Sequence, residues 1–87
     1  MLYEEIESSF QVIESFLSDE DLFEFKKSYI KDLSLYHFGL GTWIRNNLLS
    51  IKENRLNSLF IENGVEHLDD MSFHIIMLFH YYISKKI

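Results

Sequence analysis

No proline interrupts this chain of 87 residues, and glycine occurs only at positions 39, 41 and 64. A β-sandwich of this length would consume many turn residues, so their shortage calls for long helices joined by short connections. Eight Phe and five Tyr supply large side chains for a core, and a chain this rich in aromatics is not a disordered tail. The length fits one domain, residues 1–87. The expected fold is all-α, a compact single-layer bundle of about four to five helices.

Apolar periodicity places the helices. Leu2, Ile6, Phe10, Ile13 and Leu17 form one stripe at steps of three and four, with Glu4, Glu5, Glu7, Ser8, Gln11 and Glu14 on the opposite face. Ser18 followed by Asp19, Glu20 and Asp21 is a capping-box-like start. It opens a second helix over about 19–30 that would bury Leu22, Phe23, Phe25, Tyr29 and Ile30, with Lys26, Lys27 and Lys31 near its end. Gly39 and Gly41 make a continuous helix costly by about 1 kcal/mol each. The reading there is a short turn or bend over 34–38, then a helix over about 41–49 with Trp43, Ile44 and Leu48 inward. Asn54 can cap a helix over 55–62 that buries Leu56, Leu59 and Phe60, and Asn63-Gly64 is a stop signal. Asp69 or Asp70 would cap a last helix over about 71–84, followed by Lys85 and Lys86. That helix is apolar on nearly every face and is therefore expected at the centre of the fold.

Several functions lose their chemistry in this composition. Cysteine is absent, which removes disulfides, zinc ribbons and thiol catalysis and fits a reducing compartment. The acidic start lacks the basic region and apolar run of a secretory signal. The longest apolar stretch, 75–83, falls far short of the ~20 residues of a membrane span, so no membrane partner and a cytoplasmic location are expected. His74 and His80 lie six apart, off the i, i+4 spacing of a zinc pair on one helix, so no metal or other cofactor is expected from the histidines (His37, His67, His74, His80). No serine sits in a Gly-x-Ser-x-Gly turn, and Gly39-Leu40-Gly41 lacks the lysine of a phosphate loop. The paired acids are explained as helix starts, so catalytic residues are expected to be none. Three lysines at 26, 27 and 31 do not make the basic stripe that nucleic acid requires.

Charge placement is more telling than net charge. The formal charge is −6, yet eight acids precede the first base, Lys26, and the remainder of the chain is slightly basic. Only Glu24, with Lys27 three residues on, has an opposite charge at helical spacing. Solvated helices usually intersperse the signs, because like charges one turn apart cost a few tenths of a kcal/mol. An unbalanced acidic face suits a basic partner, since complementary fields steer association. Glu4, Glu7, Glu14, Asp19, Asp21 and Glu24 are the candidate contacts.

The second half carries a signature. His37-Phe38-Gly39-Leu40-Gly41-Thr42-Trp43-Ile44-Arg45-Asn46-Asn47 is followed by Arg55-Leu56, Phe60, Gly64-Val65, Asp69-Asp70-Met71-Ser72 and Tyr81-Tyr82. Over residues 36–83 this resembles a family of small bacterial helical proteins with a Leu-Gly-x-x-Ile-Arg-Asn core and a later Asp-Asp-Met-Ser helix start. Where that family has a Trp-rich stretch and a proline, this chain has Leu48-Leu49-Ser50 and Leu68. In size and acidity the chain is also similar in type to immunity proteins of bacterial contact-dependent growth inhibition systems, some of which are small helical inhibitors of toxic nucleases. That likeness implies a cognate toxin with a basic surface as partner. The alternative is a structural or regulatory helical module, for example a homodimer through the first helix; a nucleic-acid mimic ranks last, because eight acids span too short a surface. From the residues themselves, Arg45 is expected to pair with Asp69 or Asp70 and lock two helices, with Trp43 more a core residue than a binding one.

Overall fold

The computed structural model describes residues 1–50 and 54–85, so the expected placement of Lys86 lies outside the described residues. Among the described residues the α-helices are α1 (Leu2–Phe16), α2 (Asp19–Lys27), α3 (Thr42–Ile44), α4 (Arg55–Glu62) and α5 (Leu68–Lys85). A 3-10 segment, Ile30–Tyr36, leads from α2 into a helical run over 37–49. In that central run, α3 is flanked by wider π-type turns, His37–Gly41 and Arg45–Leu49. No strand occurs among the described residues, and the protein is all-α. None of the described helices is long and apolar enough to cross a membrane.

Local chemistry sets most boundaries. Ser18 Oγ accepts the Asp21 backbone N–H at 3.0 Å and starts α2. Asn54 Oδ1 accepts the Asn57 N–H at 2.8 Å and starts α4. The amides of Asn54 and Asn57 then donate to the Leu48 and Leu49 carbonyls, tying the end of the central run to α4. At the far end of α4, Gly64 takes φ +87°, its N–H donates to the Ile61 carbonyl at 3.0 Å, and the Val65 N–H donates to the Phe60 carbonyl at 2.9 Å. This is a Schellman stop, in which glycine supplies the left-handed residue.

The core gathers around α5. Ile6, Phe10 and Ile13 of α1, Phe25 of α2, Leu33, Leu40, Ile44 and Leu49 of the middle segments, and Phe60 of α4 are all buried with Ile75, Ile76 and Phe79. Phe79 is the meeting point of the aromatics, with ring centroids 5.7 Å from Phe10 and 5.5 Å from Phe25. Such rings each bury a large area and gain further from tilted packing.

Four expectations need correction. First, α2 ends at Lys27, and Phe23, Tyr29 and Ile30 are exposed rather than buried. Ser28 turns extended, its carbonyl accepts from His80 Nε2 at 2.9 Å, and its hydroxyl lies 2.9 Å from the Tyr36 hydroxyl. That fastening sends the chain along a path on which Leu33 is the buried residue. Second, the glycines do not break the central run, since the residue at 41 has ordinary right-handed helical angles. Third, α5 begins at Leu68, which places Asp69 and Asp70 in its first turn rather than at its cap; acids there still suit the helix dipole. Fourth, α5 is central but not covered on all sides, for Phe73, Met77 and Tyr81 reach solvent. Replacing Gly64 by Ala should lower stability by about 1 kcal/mol, because an L side chain is strained at positive φ. Urea denaturation would read this as a lower midpoint at unchanged slope.

Candidate functional site

Two regions hold the candidate residues. The first joins the halves of the signature. Arg45 leaves the central run and enters the start of α5, with only 14 % of its side chain exposed. Its Nη1 donates to Ser72 Oγ at 3.0 Å and lies 3.4 Å from His37 Nδ1. Its Nη2 donates to Thr42 Oγ1 at 3.0 Å and to the His37 carbonyl at 3.2 Å. Its Nε stands 3.6 Å from Asp69 Oδ1, a carboxylate 70 % exposed. Asp70 has no ion pair with Arg45. Ser72, fully buried, passes the connection on by donating to the Asp69 carbonyl at 3.0 Å.

Nη1 and Nη2 thus make three hydrogen bonds to protein oxygens and a longer contact to His37 Nδ1, and Nε faces the Asp69 carboxylate as an ion pair. A guanidinium that binds a ligand anion needs free donors, so this arrangement is a clasp between the central run and α5. Gly41 is part of it. A Cβ there would come within 3.1 Å of Arg45 Nη1 and 3.3 Å of the Tyr36 carbonyl, so the glycine makes room for the guanidinium. Sequence reasoning singled out Arg45 and Asp69 but missed Gly41, Thr42, His37 and Ser72 as their partners. Gly41, Thr42 and Ser72 stand inside the two signature blocks, and the blocks themselves were the available signal.

The second region is the acidic N-terminal part. Glu4, Glu7, Asp19, Asp21 and Glu24 are exposed and Glu14 is half-buried. Glu4 lies 3.5 Å from the N-terminal ammonium and Glu24 lies 3.3 Å from Lys27. Glu5 has a structural task, pairing with Arg55 Nε at 2.8 Å across α1 and α4. The structure brings Asp21 and Glu24 to the edge of a groove of about 370 Å³ whose other lining residues are Phe16, Leu17, Phe25, Tyr36, Gly39 and Leu40. Beside the groove, Trp43 is half-buried and stacks on the exposed Phe16 ring, with centroids 4.2 Å apart and planes 17° from parallel. Glu4 and Glu7 do not line this groove.

The histidines are dispersed in role. His37 adjoins Arg45, His80 holds Ser28, His74 lies beside Phe60, and His67 is exposed. Among the described residues no group of three His or acidic side chains is placed to hold a metal ion.

The chain belongs to the family described as Domain of unknown function (DUF6794), whose profile matches residues 4–83. No curated protein and no solved structure matches it significantly. The family match spans both the acidic helices and the Arg45 clasp.

Arg45→Ala should cost about 3–5 kcal/mol, since it removes the donors of the clasp and leaves the buried Ser72 and half-buried Thr42 oxygens short of a partner. Asp69→Ala should cost under about 1 kcal/mol, as an exposed ion-pair partner does. Gly41→Ala should cost about 1–3 kcal/mol by overpacking, while Gly39→Ala, which meets nothing within 4 Å, should be neutral. Thermal or urea melts of the four variants would reveal this order, and equal losses for Arg45→Ala and Asp69→Ala would contradict the clasp.

Proposed function

We propose that this protein is a non-catalytic, immunity-type inhibitor that binds and neutralises a cognate bacterial toxin through protein–protein contact. The toxin is a basic domain, most simply a nuclease, because an enzyme that grips phosphates must itself be positive. The observation that carries the reading is the one-sided charge of residues 1–25, where eight acids precede any base. Support comes from the groove of Phe16, Leu17, Phe25, Tyr36 and Leu40 with Asp21 and Glu24 among its lining residues. An apolar floor beside carboxylates suits a partner segment that carries an Arg or Lys on an apolar stem. Glu4, Glu7, Glu14 and Asp19 extend the negative field around it and steer the encounter.

Co-expression is the direct test. The chain should restore growth of cells that express the toxic domain encoded beside its own gene, and it should leave unrelated toxins active. In surface plasmon resonance, Glu7→Lys with Asp21→Lys should slow association by about tenfold or more at low salt, and the gap should close as ionic strength rises. An unchanged association rate would remove the acidic face from the interface, and absence of protection against every adjacent toxic domain would end the inhibitor reading.

A further inference from the structure

α5 carries an uncovered apolar stripe. Phe73, Met77 and Tyr81 recur every four residues along it and reach solvent, Phe73 to 38 %, Met77 to 39 % and Tyr81 to 59 %, with the Lys85 ammonium 5.1 Å from the Tyr81 ring centroid. At about 100° per residue, Asp70, His74, Ser84 and Lys85 share the same solvent-facing arc, and each of them is exposed. Beside the stripe, Ile30, Leu33, Met77, Leu78, Tyr81 and Ser84 help line a hollow of about 360 Å³. A contiguous exposed apolar patch is a candidate contact surface.

The charges on this arc say what covers it. The start of α5 is acidic, with Asp69 and Asp70, and its end is basic, with Lys85. Asp70 and Lys85 stand about 22 Å apart along the helix axis, and Met77 lies at the midpoint between them. A copy of the same helix laid antiparallel across this face therefore meets it with opposite charge at both ends. We propose that the protein forms a two-fold symmetric dimer through α5, with the axis passing near Met77. Asp70 of each copy then reaches Lys85 of the other. Phe73 of each copy faces the region of Tyr81 and Ser84 and fills the hollow beside Met77. Symmetry makes each favourable contact occur twice. The acids of α1 and α2 do not belong to the arc, and the dimer holds whether or not a toxin is the partner.

Sedimentation equilibrium of the full chain reads the proposal directly. The apparent mass should rise with concentration from 10.5 kDa toward twice that value. Met77→Lys should hold the protein at the monomer mass with helicity unchanged, because the side chain is surface-exposed. Asp70→Lys and Lys85→Asp should each weaken the dimer about tenfold, and the two together in one chain should restore it. That rescue is specific to the antiparallel pairing. The wild-type chain has no cysteine, so Met77→Cys should give one disulfide-linked dimer under mild oxidation. A monomer at millimolar concentration overturns the proposal, as does a dimer insensitive to Met77→Lys, or a wild-type monomer that instead adsorbs on anionic phosphatidylserine vesicles through this face.

Discussion

The Arg45 guanidinium is the constraint around which the second half of the molecule is arranged. It leaves a helical run whose turns alternate between π and α and reaches Ser72 and Asp69 at the start of α5. A nearly buried cation is tolerable only when its donors are taken up. Here the acceptors come from three places in the sequence: His37, Thr42 and the Asp69–Ser72 turn. The same cation crowds position 41, where an added Cβ would come within 3.1 Å of it. Two blocks of sequence separated by more than twenty residues are thus one physical unit. Because α5 also carries Ile75, Ile76 and Phe79 into the core, fixing its start positions the surface against which α1 and α2 pack.

Much of the fold was legible in the sequence, and the limits of that reading have physical causes. Ser18, Asn54 and Gly64 mark helix ends by local hydrogen bonding and backbone geometry, which neighbouring residues decide, and all three do in the structure what their types suggest. The stripe of α1 was equally clear, since a 3.6-residue period needs no tertiary information. The helix expected from about Gly41 to Leu49 is present, but the run starts earlier, because glycine propensity weighs backbone entropy alone while Gly41 keeps helical angles and leaves room for Arg45. The buried residues Ile44 and Leu49 lie five apart, a step that suits a π turn and confuses an α-helical template. Tyr29 and Ile30 were misplaced for a related reason: the turn at Ser28 is held by His80, 52 residues away, and no local pattern announces that bond.

The candidate site divides in the same way. Exposure of the N-terminal acids followed from their position opposite the apolar stripe. The groove beside Asp21 and Glu24 did not, because its floor joins residues from α1, α2, the 3-10 segment and the central run. The pairing of Arg45 with Asp69 was expected from the need to neutralise a buried charge, yet most of the energy-bearing bonds go to neutral oxygens whose role only the fold makes visible.

The separation of the acidic face from the clasp has a consequence for how such a protein changes over generations. Glu7, Asp19 and Glu20 stand exposed on α1 and α2, and surface residues of this kind can usually be exchanged within about half a kcal/mol. The clasp allows less freedom, since Gly41, Arg45 and Ser72 meet in one set of contacts and a change in one is felt by the others. A lineage built on this plan can therefore redraw its outer charges one mutation at a time while its framework stands still. Surface charge and folding would be inherited as separate traits within a chain of fewer than ninety residues.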